Sequence, residues 1–137
     1  MIKFSELKQG DYVMAKYDGT IVKGEVTELK KDQKLACINN GVQEFWFDET
    51  KLQAIPLNHE ELLNLAFTTT VNDDGTVKYS KGSFRILLQE ADKFFEFDIW
   101  YREDKRQIKN PIFVHELQNH YLDMTKIHLN STVMSNG

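Results

Sequence analysis

Cysteine is almost absent from this chain, because Cys37 is the only one among 137 residues. A single thiol cannot form an intramolecular disulfide, and it excludes a zinc site built from four cysteines. Proline and glycine are also scarce, at two and seven residues, while aromatic residues make up an ordinary 12%. This composition predicts a chain that folds rather than stays disordered, in a reducing compartment.

Long apolar runs and an excess of positive charge are also missing. The first residues hold no apolar stretch of the roughly 7–15 residues that a signal peptide needs. No segment approaches the ~20 apolar residues of a membrane-spanning helix. The formal net charge of −4 gives no general attraction to phosphate backbones or anionic membranes. These absences predict a cytoplasmic protein with no membrane partner.

Two turn dipeptides, Asp18-Gly19 and Asn40-Gly41, predict β-hairpins in the first part of the chain. Such residues readily take the positive φ angles of type I′ turns. A two-residue loop at the first dipeptide pairs Tyr17 with Thr20. Four or five short strands ending near residue 56 predict an α+β fold that begins with an SH3-like small β-barrel lobe, residues 1–56.

The second hairpin has apolar side chains on both faces when the same two-residue loop is applied. One face carries Ala36, Ile38, Phe45 and Phe47, and the other carries Leu35, Cys37 and Trp46. A barrel interior uses only one of these faces, so the second needs a cover. Trp46 then packs between two lobes, or forms an aromatic anchor for a partner together with Tyr12 or Met14. Both alternatives stay open.

The second lobe, residues 57–130, is predicted as an antiparallel sheet with two helices, followed by a flexible tail at 131–137. Asn58 and Glu61 form a capping pair for the first helix. Apolar residues at helical spacing predict the second helix over Val114–Thr125. Between them, a hairpin with the loop Glu90–Lys93 is expected to join two strands.

This hairpin has a predicted register that places apolar residues opposite one another. The pairs are Leu88 with Phe95, Ile86 with Phe97 and Phe84 with Ile99, and Arg85 lies opposite Asp98 as an ion pair. The following segment, Arg102–Asn110, is predicted to be a charged loop.

The segment His115–Asn119 resembles a zinc-protease helix, but it lacks the second histidine four residues after the first. His120 lies five residues after His115, about 140° round a helix, so the two rings cannot readily share a metal. A solvent-facing polar row is the preferred interpretation of His115, Gln118 and Asn119. No metal, no cofactor and no catalytic residues are predicted.

Two segments of the chain carry recognisable motifs. The stretch PIFVHELQNHYLDMT (Pro111–Thr125) follows the pattern V-H-x-L-Q-N-x-Y, and AIPLNHEELLNLAF (Ala54–Phe67) has an Ile-Pro-Leu entry to a helix. Both resemble motifs in a family of small proteins from Bacteroidetes phages, prophages and mobile elements. The resemblance implies a mobile-element setting and carries over no catalytic residue.

These observations favour a non-catalytic interaction protein of a phage or mobile element, which binds a host protein or ribonucleoprotein. An inhibitor of a host defence nuclease, of the anti-CRISPR type, is one concrete version. The alternative is an accessory nucleic-acid-binding protein that uses the barrel and the basic loop, and an enzyme of unrecognised type is a third class. The expected binding residues are Trp46, Tyr12, Trp100, Arg102, Lys105, Arg106 and Lys109.

Overall fold

The fold is known from a computed structural model that describes residues 2–133, so part of the predicted tail, residues 134–137, lies outside the described residues. The described chain is mixed α+β, with two five-stranded antiparallel sheets and two α-helices. The strands are β1 Tyr12–Tyr17, β2 Thr20–Lys30, β3 Leu35–Asn39, β4 Glu44–Asp48, β5 Leu52–Gln53, β6 Thr68–Val71, β7 Val77–Lys81, β8 Phe84–Leu88, β9 Phe97–Tyr101 and β10 Asp104–Ile108. The helices are α1 His59–Asn64 and α2 Val114–Thr125.

The helices begin where the sequence predicts. Asn58 caps α1 by accepting a hydrogen bond from the backbone N–H of Glu61 at 2.9 Å. Helix α2 has the predicted bounds, because its apolar stripe is long and regular. No helix within residues 2–133 is long and apolar enough to cross a membrane.

The chain divides into two compact units. The first unit holds residues 2–55 together with Phe113–Asn119, and the second holds Pro56–Ile112 together with residues 120–133. Helix α2 therefore contributes its first half to one unit and its second half to the other.

The sheet of the first unit has the strand order β4-β3-β2-β1-β5. Tyr17 lies opposite Thr20, as the first hairpin predicted. Strand β5 returns to pair with β1, while β4 and β5 are the two edges, so the sheet is not closed into a barrel. The α+β class is confirmed.

The hairpin of β3 and β4 differs from the prediction in its register but not in its faces. Residues 40–43 form the loop, in which the side-chain oxygen of Asn40 accepts from the N–H groups of Val42 and Gln43, each at 2.9 Å. Ile38 therefore lies opposite Phe45, two residues away from the predicted pairing. Because side chains alternate along a strand, a shift of two residues leaves each side chain on its predicted face.

A buried cluster fills the inner face of this sheet, with the members Ile2, Phe4, Leu7, Val13, Ala15, Val26, Ala36, Ile38, Phe47 and Leu52. Strand β2 approaches β3 so closely that a Cβ atom on Gly24 would lie 2.4 Å from Cγ2 of Ile38 and 2.8 Å from the carbonyl oxygen of Asn39. The cluster therefore requires a glycine in the middle of β2.

The second unit has the sheet order β10-β9-β8-β7-β6. Its buried face is covered by helical and pre-strand residues of the same unit. The Phe84 ring lies 4.7 Å from that of Tyr121 in α2 and 6.1 Å from that of Phe67. Nδ1 of His59 in α1 lies within hydrogen-bond distance of the Tyr79 hydroxyl oxygen, at 2.7 Å.

The predicted register of β8 and β9 is wrong by two residues. Phe84 lies opposite Tyr101, and Leu88 lies opposite Phe97. The loop runs from 89 to 96, and Phe95 is 57% exposed instead of lying in the core. The neighbouring Phe94 packs in its place, with its ring 6.1 Å from Tyr79 and 6.3 Å from Phe97.

The segment predicted as a charged loop, Arg102–Asn110, contains strand β10. Arg102 and Glu103 form a tight turn in which Arg102 has φ 55°, and β10 then pairs with β9 along its whole length. Charged residues are favoured on edge strands, where they prevent pairing with other chains. Because β10 is rich in charged residues, a loop was predicted where the structure has a strand.

Candidate binding surface

A tryptophan flanked by two cations lies on the outer face of the second sheet. Arg85, Trp100 and Lys105 are directly opposite one another on β8, β9 and β10. The Arg85 guanidinium carbon lies 5.2 Å from the Trp100 ring centroid, and the Lys105 Nζ lies 4.8 Å from it. Both distances fall within the ~6 Å range of cation–π attraction.

The same face carries a second row of side chains. We define the Trp100 face as Lys78, Arg85, Leu87, Asp98, Trp100 and Lys105, which share the side of the sheet opposite Phe84 and Ile86. Asp98 lies 3.8 Å from Lys105. The face thus carries three cations against one carboxylate, although the whole chain is acidic.

Arg85 has a polar atom with no partner within the described residues. Its Nε is buried and makes no hydrogen bond there. A buried N–H of a charged group without an acceptor is costly.

The other predicted residues near β10 do not join this face. Arg106 points to the opposite side of the sheet, where it binds Asp123 and meets Nδ1 of His120 at 3.0 Å. The hydrogen bond and charge of Arg106 lower the pKa of Asp123. Arg102 lies in the turn against the Tyr101 ring, and Lys109 is exposed beyond the strand.

Trp46 and Tyr12, predicted together as an anchor, belong to the first unit. Trp46 is 40% exposed and lies under the Lys30 ammonium at 4.6 Å. Tyr12 is on β1, separated from β4 by two strands, which is about 14 Å at the usual strand spacing. The structure does not bring these two rings together.

Two of the three residues in the predicted solvent-facing row of α2 are buried and the third, Asn119, is partly buried, so this prediction is wrong. His115 and Gln118 are each 1% exposed. The Gln118 amide donates to the carbonyl oxygen of Gly10 and accepts from the N–H of Tyr12, both at 2.9 Å. Asn119 donates to the carbonyl oxygen of Glu6 at 3.1 Å and accepts from Nζ of Lys8 at 2.8 Å. These amides hold the N-terminal segment against α2. They supply hydrogen-bond partners to backbone groups of that segment, which need partners when they are buried.

A cleft of about 360 Å³ lies beside this polar cluster in the first unit. Phe113 and His115 line it, with their rings stacked 6.2 Å apart, and Glu6 Oε2 lies 3.4 Å from Nε2 of His115. The buried Nδ1 of His115 has no partner within the described residues. The cluster around this histidine is the feature that sequence reasoning missed.

Asp11 is fully buried in the same cluster and forms an ion pair with Lys8. Burial raises the pKa of Asp11 above the ordinary 3.8, against the opposing effect of Lys8. A group whose pKa is raised by folding contributes stability that is complete below the unfolded pKa and is lost as pH rises through the folded pKa. Ionisation of the Asp11 carboxyl therefore costs more in the folded protein than in the unfolded chain.

We expect Asp11→Asn to change the pH dependence of stability. The free energy of unfolding of the variant, relative to the natural protein, should rise as pH increases above about 3.8. Urea titrations across acid and neutral pH measure this difference. Asp74→Asn is the control with the opposite sign, because hydrogen bonds from Thr76 lower the pKa of Asp74. Equal pH profiles for the two variants would contradict the expectation.

The remaining chemistry within residues 2–133 is limited. No group of three or more His, Cys, Asp or Glu side chains in that range is arranged to hold a metal ion. Cys37 is buried, with its Sγ 4.0 Å from a Glu44 carboxylate oxygen. Comparison with family models, curated proteins and solved structures gave no match.

Proposed function

We propose that this chain is a non-catalytic interaction protein of a phage or mobile element, which binds a host protein or ribonucleoprotein in the host cytoplasm. Inhibition of a host defence nuclease, of the anti-CRISPR type, is the concrete version. The observation that carries the proposal is Trp100 between Arg85 and Lys105 on an outer sheet face. The mobile-element setting rests on the resemblance of Ala54–Phe67 and Pro111–Thr125 to phage-family motifs.

The Trp100 face has the composition of an interface centre. Tryptophan and arginine are the residues whose truncation most often costs binding energy. Trp100 is partly exposed and has Arg85 and Lys105 beside its ring. These neighbours restrict the ring before binding, which reduces the entropy lost on association. Three cations against one carboxylate favour a partner with an acidic patch.

We propose further that the first sheet is a curled, open version of an SH3-like small barrel. Its support is the return of β5 to β1 in the order β4-β3-β2-β1-β5. The pairing shift between Val26 and Glu28 of β2 adds a bulge, and bulges increase the local twist that lets a short sheet curl.

The second candidate function is binding of single-stranded nucleic acid by the same face. Bases stack on aromatic rings, and cations beside the ring hold the phosphates. Trp100 with Arg85 and Lys105 supplies both elements. The net charge of −4 opposes this reading, because there is no long-range attraction to the backbone.

Capture from a nuclease-treated host lysate tests the proposal. We expect Trp100→Ala to lower capture by roughly 30-fold, because truncation of a hot-spot residue costs about 2 kcal/mol or more. Trp46→Ala is the matched control, since Trp46 is also exposed beside a lysine. Urea titration should show that both variants remain folded.

The outcomes separate the candidates. Partner loss in Trp46→Ala with no loss in Trp100→Ala would contradict the assignment of the surface. If capture succeeds only from lysate without nuclease treatment, and labelled single-stranded oligonucleotides bind the protein alone and more weakly as salt rises, the nucleic-acid function replaces the first proposal.

A further inference from the structure

Strand β6 is an edge strand without the usual protection. It pairs with β7 on one side only, and all four of its residues, Thr68–Val71, are exposed. The strand contains no charged residue and no proline. The unpaired side of such a strand presents backbone donors and acceptors to any strand that approaches.

The other edges of the two sheets are protected. Strand β4 carries Glu44 and Asp48, and β10 carries three consecutive charged residues, Asp104–Arg106. Strand β5 is only two residues long. Charge and shortness are the devices by which natural sheets avoid edge-to-edge pairing. Within the described residues, β6 is the only edge that uses neither.

We infer that β6 pairs with the β6 strand of a second copy of this chain, antiparallel about a twofold axis. Centred on Thr70, this pairing places Thr70 opposite Thr70 and Thr69 opposite Val71 of the other copy. Opposed threonine and β-branched side chains stabilise antiparallel pairs. The second unit of each copy contributes its five-stranded sheet, and the two sheets join into one continuous sheet of ten strands.

Charge makes this edge, rather than another, suited to self-pairing. A twofold contact brings each strand against its own sequence. For β4 this would oppose Glu44 and Asp48, and for β10 it would oppose Arg106 and its own copy. Like charges directly opposite are destabilising. Strand β6 meets no such repulsion.

The contact is short, so the dimer is weak. Four residues a side bury less than the ~1,200–2,000 Å² of stable interfaces, so we expect a reversible equilibrium that depends on protein concentration. This self-association uses a different strand from the Trp100 face and does not depend on the proposed function.

Sedimentation equilibrium from micromolar to near-millimolar protein tests the inference. We expect the average mass to rise from 16.0 kDa towards twice that value. Thr70→Glu should remain monomeric, because it places carboxylates near the twofold axis. Gln107→Glu on the exposed β10 edge makes the same charge change and should dimerise like the natural protein.

Amide hydrogen exchange gives a second readout on the same samples. Protection of the β6 amides should increase with concentration, and that of β10 should not. A natural protein that stays monomeric over the whole range would overturn the inference. So would a Thr70→Glu variant that dimerises as well as the Gln107→Glu variant.

Discussion

Replacement of Gln118 by methionine is expected to lower the free energy of unfolding by about 2–6 kcal/mol. The side chain is 1% exposed, and its amide joins the carbonyl oxygen of Gly10 to the N–H of Tyr12. Methionine keeps the size of the side chain but removes its hydrogen bonds to both backbone groups. Each buried unsatisfied group costs about 1–3 kcal/mol.

Urea titration measures this effect. Gln107→Met is the matched control, because Gln107 lies on the exposed edge strand β10, and surface substitutions usually change stability by about 0.5 kcal/mol or less. A loss of less than about 1 kcal/mol for Gln118→Met would contradict the role given to the amide. A difference of the expected size between the two variants would show that Gln118 in α2 acts as a structural clamp on the N-terminal segment.

Phe84→Ala is expected to cost about 3–5 kcal/mol, the usual range for a phenylalanine removed from a packed core. Phe84 is fully buried between the rings of Phe67 and Tyr121. Alanine leaves a cavity where these rings meet. The change should also lower the melting temperature by roughly 10–20 °C, because each kcal/mol is worth about 3–4 °C in a chain of this size.

Phe95→Ala distinguishes the two registers of the β8–β9 hairpin. The register predicted from the sequence places Phe95 opposite Leu88 in the core, whereas the structure leaves it 57% exposed in the loop. We expect this variant to lose less than about 1 kcal/mol. A loss similar to that of Phe84→Ala would restore the predicted register.

The hydrophobic pattern predicted most strands and their faces, but it missed the charged strand β10 and the lengths of two loops. At Asp18-Gly19 the dipeptide itself forms the turn, so the register was correct. In the next hairpin Asn40 bonds forward to Val42 and Gln43 and widens the loop. In the third hairpin, the length of the loop is determined by the packing of Phe94 against Tyr79. A contact between residues far apart in the chain leaves no local pattern in the sequence.

The candidate surface was predicted only in part, because the neighbours of a residue across strands depend on the length of the loop. Trp100 and Lys105 were chosen for their types, and the structure places them side by side. Arg85 was assigned to Asp98, because its neighbour across the strands depends on the register. The buried amides of α2 were missed because helical periodicity marks apolar faces, whereas Gln118 is buried through hydrogen bonds to residues 10 and 12.

The clamp between α2 and the N-terminal segment has a consequence for synthesis on the ribosome. Gly10 and Tyr12 emerge early, but their partner Gln118 follows more than 100 residues later. Residues 56–112 separate the last strand of the first sheet from the segment that begins α2, and their translation takes about 3–11 s at the usual rate of 5–20 residues per second. During that interval all five strands of the sheet have been made, but Gln118, which bonds the backbone of Gly10 and Tyr12, has not. The first unit is thus completed only after the sheet of the second unit has been translated.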